Sequence, residues 1–277
     1  MATRESTVVA AREGTDLRHE ARAVYVIWLR DLVRFVNERT RLVGALGQPL
    51  IYLGVMGTGF GATFRAAALP DGFSYVQFMF PGILGMTVLF TALFSAVSII
   101  WDREFGFLKE VLVAPVTRPS IVLGKALGGA TVALLQATLL LALSPLVGLR
   151  LGVVDIARLW LVMLLIAFAL TSFGLALASR MPSMEAFQMV MNFLIVPMWM
   201  LSGAFFPLQG VPGWMAALMR IDPLTYAVDA LRGVMYAGTP MGRALVAHGF
   251  GFNLTVVALV SLAAFAVALV TFKARES

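Results

Sequence analysis

Residues 77–100 read QFMFPGILGMTVLFTALFSAVSII, a run of 24 residues without a charged side chain. A helix needs roughly 20 such residues to cross a hydrocarbon core about 30 Å thick. Charge returns immediately after it, at Asp102, Arg103 and Glu104, so the run reads as a membrane span that meets water at both ends. The remainder of the chain repeats this pattern. Of 277 residues, 60% are hydrophobic and 13% are charged, with a mean hydropathy of +0.89. Soluble domains carry about 45–50% apolar and 25% charged residues. The chain therefore reads as an all-α polytopic membrane protein. The absence of cysteine removes disulfide scaffolds, thiol catalysis and Cys-ligated zinc or iron–sulfur centres, and the scarcity of long polar segments removes disorder.

Working outward, hydropathy and its charged interruptions give six transmembrane helices, at about 42–64, 77–100, 121–146, 157–179, 187–206 and 250–272. With the N-terminus in the cytoplasm, fifteen of the 21 Lys and Arg residues fall on the inner side. That bias places both termini in the cytoplasm, and the net charge of +6 is a topology signal. No basic patch interleaved with aromatics appears, so nucleic acid is not an expected partner. The domain reading is a cytoplasmic tail and amphipathic helix at 1–41, a six-span domain at 42–272 and a short cytoplasmic tail at 273–277. The first 41 residues hold eight Arg and no early apolar core, unlike a cleaved signal peptide. Within 22–38, Tyr25, Trp28, Leu29, Leu32 and Val36 recur at helical spacing opposite Arg22, Arg30, Arg34 and Glu38. That pattern suits an interfacial helix; the alternative is a helix packed on protein.

Two segments depart from a plain bundle. Residues 101–125, WDREFGFLKEVLVAPVTRPSIVLGK, place Phe105, Leu108, Val111 and Leu112 at helical spacing before Pro115 and Pro119 end the pattern. A short amphipathic helix there can dock into another protein's groove or simply finish the bilayer edge. Residues 207–249 are too apolar for an exposed loop and too broken by Pro207, Pro212, Pro223 and Pro240 to span. They read as outer re-entrant helices held against the bundle, where broken backbone is tolerated. Asp222 before Pro223 is placed to cap one of these helices, Tyr226 follows, and Asp229 and Arg232, three apart, are placed to pair. A structural role is expected for that pair.

Polar residues at membrane depth need partners. Asn192 in span five and Gln136 in span three are such residues; for Gln136 an interhelical hydrogen bond is the expected reading. Gly57 with Gly61 and Gly124 with Gly128 form GxxxG pairs, read as close helix approaches. No metal-binding HExxH and no Ser–His constellation is present, and His19 and His248 fall on opposite sides of the membrane.

Glu104, Gly106, Leu108, Glu110, Leu112, Pro115 and Arg118, ending in Gly124-Lys125, resemble the inner-loop signature of type-2 ATP-binding-cassette (ABC) exporter permeases. Arg34-Phe35 with Gln48-Pro49, FPGIL at 80–84, LSGAFFPL at 201–208 and DPLTYAVDALRG at 222–233 resemble further patches of that family, in its order and over nearly the whole chain. The resemblance implies a half-transporter: two permease subunits, as homodimer or heterodimer, joined to two cytosolic ABC ATPase subunits. Residues 102–118 would be the coupling helix, with Phe105, Phe107 and Leu108 as apolar anchors and Glu104, Lys109, Glu110 and Arg118 as the polar rim; 22–38 would be the connecting helix. The chain contains no phosphate-binding loop of the GxxxxGK[ST] form. The resemblance accordingly implies no enzyme activity and no cofactor in this chain, Mg-ATP residing on the partner subunit.

By the same resemblance, spans one, two and five line the translocation path, with Phe60, Phe90, Met191, Asn192 and Trp199 as candidate contacts. The Met-rich fifth span forms a soft apolar wall, and membrane lipid is the surrounding partner. The implied activity is outward export of an amphiphilic drug, lipid or glycolipid across the bacterial cytoplasmic membrane. A permease for a lipid-linked polysaccharide is the near alternative, because Tyr52, Phe60, Phe64, Phe78, Phe80, Phe90 and Phe94 could line an aromatic path. A membrane-embedded lipid-modifying enzyme is the alternative from a different class; it would need an outer site near Asp222, Asp229 and His248. A secondary carrier would need buried acidic residues in the spans, and the spans lack them.

Overall fold

The computed structural model describes residues 17–37, 39–64, 73–104 and 117–273. Among these, all regular structure is helical. We number the helices α1 (Leu17–Asn37), α2 (Arg39–Phe64), α3 (Tyr75–Ser95), α4 (Val97–Glu104), α5 (Arg118–Leu141), α6 (Val153–Arg180), α7 (Met184–Trp199), α8 (Gly213–Ile221), α9 (Pro223–Met235), α10 (Pro240–Leu245) and α11 (Phe250–Lys273).

Five stretches are long and apolar enough to cross a membrane: Tyr75–Asp102, Arg118–Leu141, Val153–Arg180, Met184–Ala204 and Phe250–Phe272. They coincide with five of the six expected spans, each shifted by a few residues. The first expected span, 42–64, is helical throughout as the greater part of α2, Arg39–Phe64, with Pro49 inside the helix. Span 75–102 is the axis of the bundle, with 78% of its most apolar window buried, against 22% for the last span. Phe78, Phe80, Ile83, Leu84, Leu89 and Leu93 carry that burial. Close approach is made possible by small residues: a Cβ at Gly82 would collide with the backbone and side chain of Ala204. The Met184–Ala204 span ends in a π-turn, Met200–Ala204, in which Gly203 takes a φ of +82°, a left-handed conformation that favours glycine.

Local chemistry sets the boundaries. Ser74 and Gln77 form a reciprocal capping box at the start of α3 (2.9 and 3.3 Å). Ser183 caps α7, accepting the Ala186 N–H at 3.3 Å. The expected broken segment at 207–249 resolves into α8, α9 and α10, with Pro223 and Pro240 each in a first helical turn, where a missing N–H costs nothing. Helices α8 and α9 fold as a hairpin whose α9 arm is buried against α3, α6 and α11. Hydrogen bonds from Tyr236 Oη to Gln77 O (2.6 Å) and from Gln77 Nε2 to Val147 O (3.1 Å) place the hairpin, the start of α3 and the α5–α6 turn at one end of the bundle. The opposite end carries α1, α4 and the start of α5.

Candidate functional site: a charged clamp and a buried hairpin

Helix α1 lies along α5, and glycines decide how closely. A Cβ at Gly124 would stand 2.9 Å from Ile27 Cβ, and one at Gly128 would stand 2.9 Å from Asp31 Oδ2. The second GxxxG pair is therefore the seat of α1, and the helix expected at the interface packs on protein. Trp28 Nε1 donates to Thr131 Oγ1 at 2.9 Å. Around this seat is a charged cluster. Lys125 Nζ, 3% exposed, lies 2.6 Å from Asp102 Oδ2 and donates to Ser98 Oγ at 3.1 Å. Arg30 Nη2 reaches the same Asp102 oxygen at 3.3 Å, and the Arg34 guanidinium sits 4.6 Å over the Trp101 ring. On the other side, Glu20 accepts from the Thr117 N–H at 3.1 Å and from Thr117 Oγ1 at 2.8 Å. Hydrogen bonds from Ser120 and Thr117 hold its carboxyl below the usual carboxylate range.

Asp102 and Thr117, which lie on either side of 105–116, are thus both tied to one helix: Asp102 to Arg30, and Thr117 to Glu20. Of the residues expected to meet a partner, Glu104 ends α4 and Arg118 begins α5. Phe105, Gly106, Phe107, Leu108, Lys109, Glu110 and Pro115 lie outside the described residues, as does the side chain of Glu104.

The expected path residues do not share one surface. Met191 and Trp199 belong to the buried stripe of α7 with Phe187 and Ile195. Asn192 is on the exposed side with Phe193 and Val196. Trp199 makes edge contacts with Tyr52 of α2 (4.9 Å) and Phe205 (4.7 Å). Phe90 lines a cavity of about 340 Å³ with Gln48, Thr87, Thr91 and Gln136, while the side chain of Phe60 is outside the described set. Gln136 Oε1 accepts from Thr91 Oγ1 at 2.7 Å, the interhelical bond its depth demands.

In the hairpin, Asp229 and Arg232 are both buried but take separate partners, contrary to the expected pair. Asp229 Oδ1 accepts from the Ala247 N–H, and Oδ2 from the His248 N–H and Asn253 Nδ2, all at 2.8–2.9 Å. Arg232 Nη2 donates to Gly203 O at 2.8 Å, with its guanidinium 4.7 Å over the Phe78 ring. The difference is one of direction: the carboxylate turns toward the chain entering α11, the guanidinium toward the π-turn. Tyr226 Oη donates to Arg220 O (2.8 Å) and its ring faces His248. Asp222 caps α9, accepting the Leu224 N–H at 2.9 Å, and burial pushes its carboxyl up to about 7.

An ordered set of contacts from α1 to α9 thus defines the molecule, and the comparison with known sequences covers the same extent. Residues 22–236 match the family described as ABC-2 type transporter. The chain belongs to that family. Nodulation protein J of Rhizobium meliloti (strain 1021) is 30% identical over 221 residues, 78% of this chain and 81% of the relative. The ycf38 protein of Cyanophora paradoxa, named as a transport permease, is 30% identical over 213 residues, 76% of this chain and 72% of the relative. YbhR of Escherichia coli (strain K12), named as a multidrug ABC transporter permease, is 27% identical over 167 residues, 58% of this chain and 44% of the relative.

For this ABC-2 permease, sequence reasoning found the hairpin and the GxxxG seat but missed the clamp. Lys125 carried the signal: a lysine eight positions into a helix long and apolar enough to span needs a counter-charge nearby. Its partner Asp102 sits 23 residues earlier, beyond any helical spacing.

Proposed function

We propose that this chain is the membrane-spanning half of an ATP-driven exporter of amphiphiles, coupled to cytosolic ABC ATPase subunits through the end of the bundle that carries α1. The observation that carries this reading is that Asp102 and Thr117, on either side of 105–116, are both tied to α1. With Asp102 of α4 and Thr117 at the start of α5 both tied to one helix, itself seated along a span, a push from a protein docked between them reaches α1, α4 and α5 together. Closure of the ATPase on nucleotide would then move these helices as one body and shift the permease between two arrangements. The buried Lys125–Asp102 pair suits this role, since separating it would leave a charge in a low-dielectric setting.

Two permease subunits, identical or paired, complete the assembly in this reading, within the bacterial cytoplasmic membrane and with both termini in the cytoplasm. The names of the relatives, a nodulation protein and a multidrug permease, support a substrate that is an amphiphilic drug, lipid or glycolipid. The enzyme alternative would use Asp229 and His248, whose Nδ1 lies 3.6 Å from Asp229 Oδ2; that both carboxylate oxygens already accept from two backbone N–H groups and Asn253 supports a structural carboxylate.

The test is affinity capture of the tagged chain from native membranes in mild detergent. Co-elution of a phosphate-loop ATPase near one-to-one, lost on replacing Glu104 and Phe107 with alanine, is the expected result. Recovery of the chain alone, or with biosynthetic enzymes, overturns the reading.

A further inference from the structure

A cavity of about 630 Å³ opens at the tip of the α8–α9 hairpin, within the roughly 300–1,000 Å³ range of small-molecule sites. Phe173 of α6, Phe193 and Met198 of α7, Leu218 of α8 and Val260 of α11 form its walls together with Asp222. Among the described residues, Asp222 is the only titratable group lining it. The Asp222 side chain is almost wholly withdrawn from solvent, with the residue 7% exposed. Its Oδ1 is taken by the Leu224 N–H, whereas Oδ2 has no hydrogen-bond partner. A buried carboxyl oxygen without a partner is costly, and the cap explains only one of the two oxygens.

The character of the walls selects the occupant. Water needs about three polar partners, and this lining offers one. A plain hydrocarbon would fill the space but leave Oδ2 unpaired, and an anionic group would be repelled by it. A hydrophobic amine satisfies both demands: a protonated nitrogen donates to the carboxylate, a neutral one accepts from the carboxylic acid. Phe193 and Leu218, 82% and 45% exposed, stand at the rim, so the cavity opens on the side of the single chain's helix bundle.

We propose that this cavity binds a hydrophobic amine, its apolar body held between α6, α7 and α11 and its nitrogen on Asp222 Oδ2. The site is separate from the clamp and needs neither the ATPase nor turnover, so its failure and the failure of the transport reading are distinguishable. The test uses the full chain in lipid nanodiscs, labelled by a long-chain alkylamine bearing a diazirine and, separately, by its hydrocarbon counterpart lacking the nitrogen. The amine is expected to label peptides spanning 193–201 and 260–267 more strongly than the hydrocarbon does. Asp222→Asn retains a good helix cap and is expected to weaken amine labelling about tenfold, the scale of one charge-assisted hydrogen bond, while leaving hydrocarbon labelling unchanged. Ala264→Phe, filling the cavity from α11, is expected to suppress labelling by both probes, and it carries the test should Asp222→Asn not fold. Equal labelling by the two probes in the unmodified chain, amine labelling indifferent to Asp222→Asn, or labelling by both probes indifferent to Ala264→Phe, overturns the proposal.

Discussion

Lys125 and Asp102 make the sharpest demand on single residues in this protein. The Lys125 side chain is 3% exposed and that of Asp102 13%, so neither is well hydrated, and Lys125 depends on a carboxylate that Arg30 also reaches. Asp102→Asn leaves a buried cation with weakened compensation and is expected to cost about 3–5 kcal/mol, read as a lower unfolding midpoint in detergent. The double replacement Lys125→Met with Asp102→Asn removes both charges and is expected to recover most of that loss. A double variant no more stable than Asp102→Asn alone would show that the pair is not the unit. Glu20 makes a pH-dependent contribution of defined sign. Its carboxyl is held below 4.5 in the folded chain, so its hold on Thr117 is present at neutral pH and lost as pH falls through the lowered value. Amide exchange in 17–24 is expected to rise on acidification below about 4.5, relative to Glu20→Gln, in which that rise is absent.

Helices reveal what spacing can and cannot foretell. The spans were legible because a run such as 77–100 has no alternative in water, and the hairpin was legible because Pro212, Pro223 and Pro240 punctuate an apolar stretch. The seat of α1 was half legible: Gly124 and Gly128 marked a close approach, but nothing in the sequence said that Ile27 and Asp31 would fill it. Asp229 and Arg232 mislead for the opposite reason. Spacing of three makes them neighbours on a helix, while the partners that capture them, at 203 and 247–253, are set by the tertiary fold. Gly128→Leu is therefore expected to lift α1 from α5 and cost about 1–3 kcal/mol, with Trp28 fluorescence shifting toward that of an exposed indole; an unchanged spectrum in a variant that retains only Trp28 would refute the seat. Asp229→Ala unpairs two backbone N–H groups and Asn253, and is expected to lower the unfolding midpoint and raise amide exchange at 247 and 248.

At the scale of the whole molecule, burial is graded from the axis outward. The 75–102 span is the most enclosed, with 78% of its most apolar window buried, whereas the last span presents Phe252, Leu259, Leu262 and Val270 to the surroundings. Truncating Leu89 at the axis is expected to cost about 2–5 kcal/mol, and truncating Leu262, 66% exposed, close to nothing in lipid; equal losses would mean that the last span packs against something further.

Because Arg30 and Glu20 hold Asp102 and Thr117, a change of sequence between those two residues leaves the α1–α5 seat in place. In the exporter proposed above, a lineage could then alter the surface that meets its ATPase while the spans keep their geometry, so that the two histories need not agree.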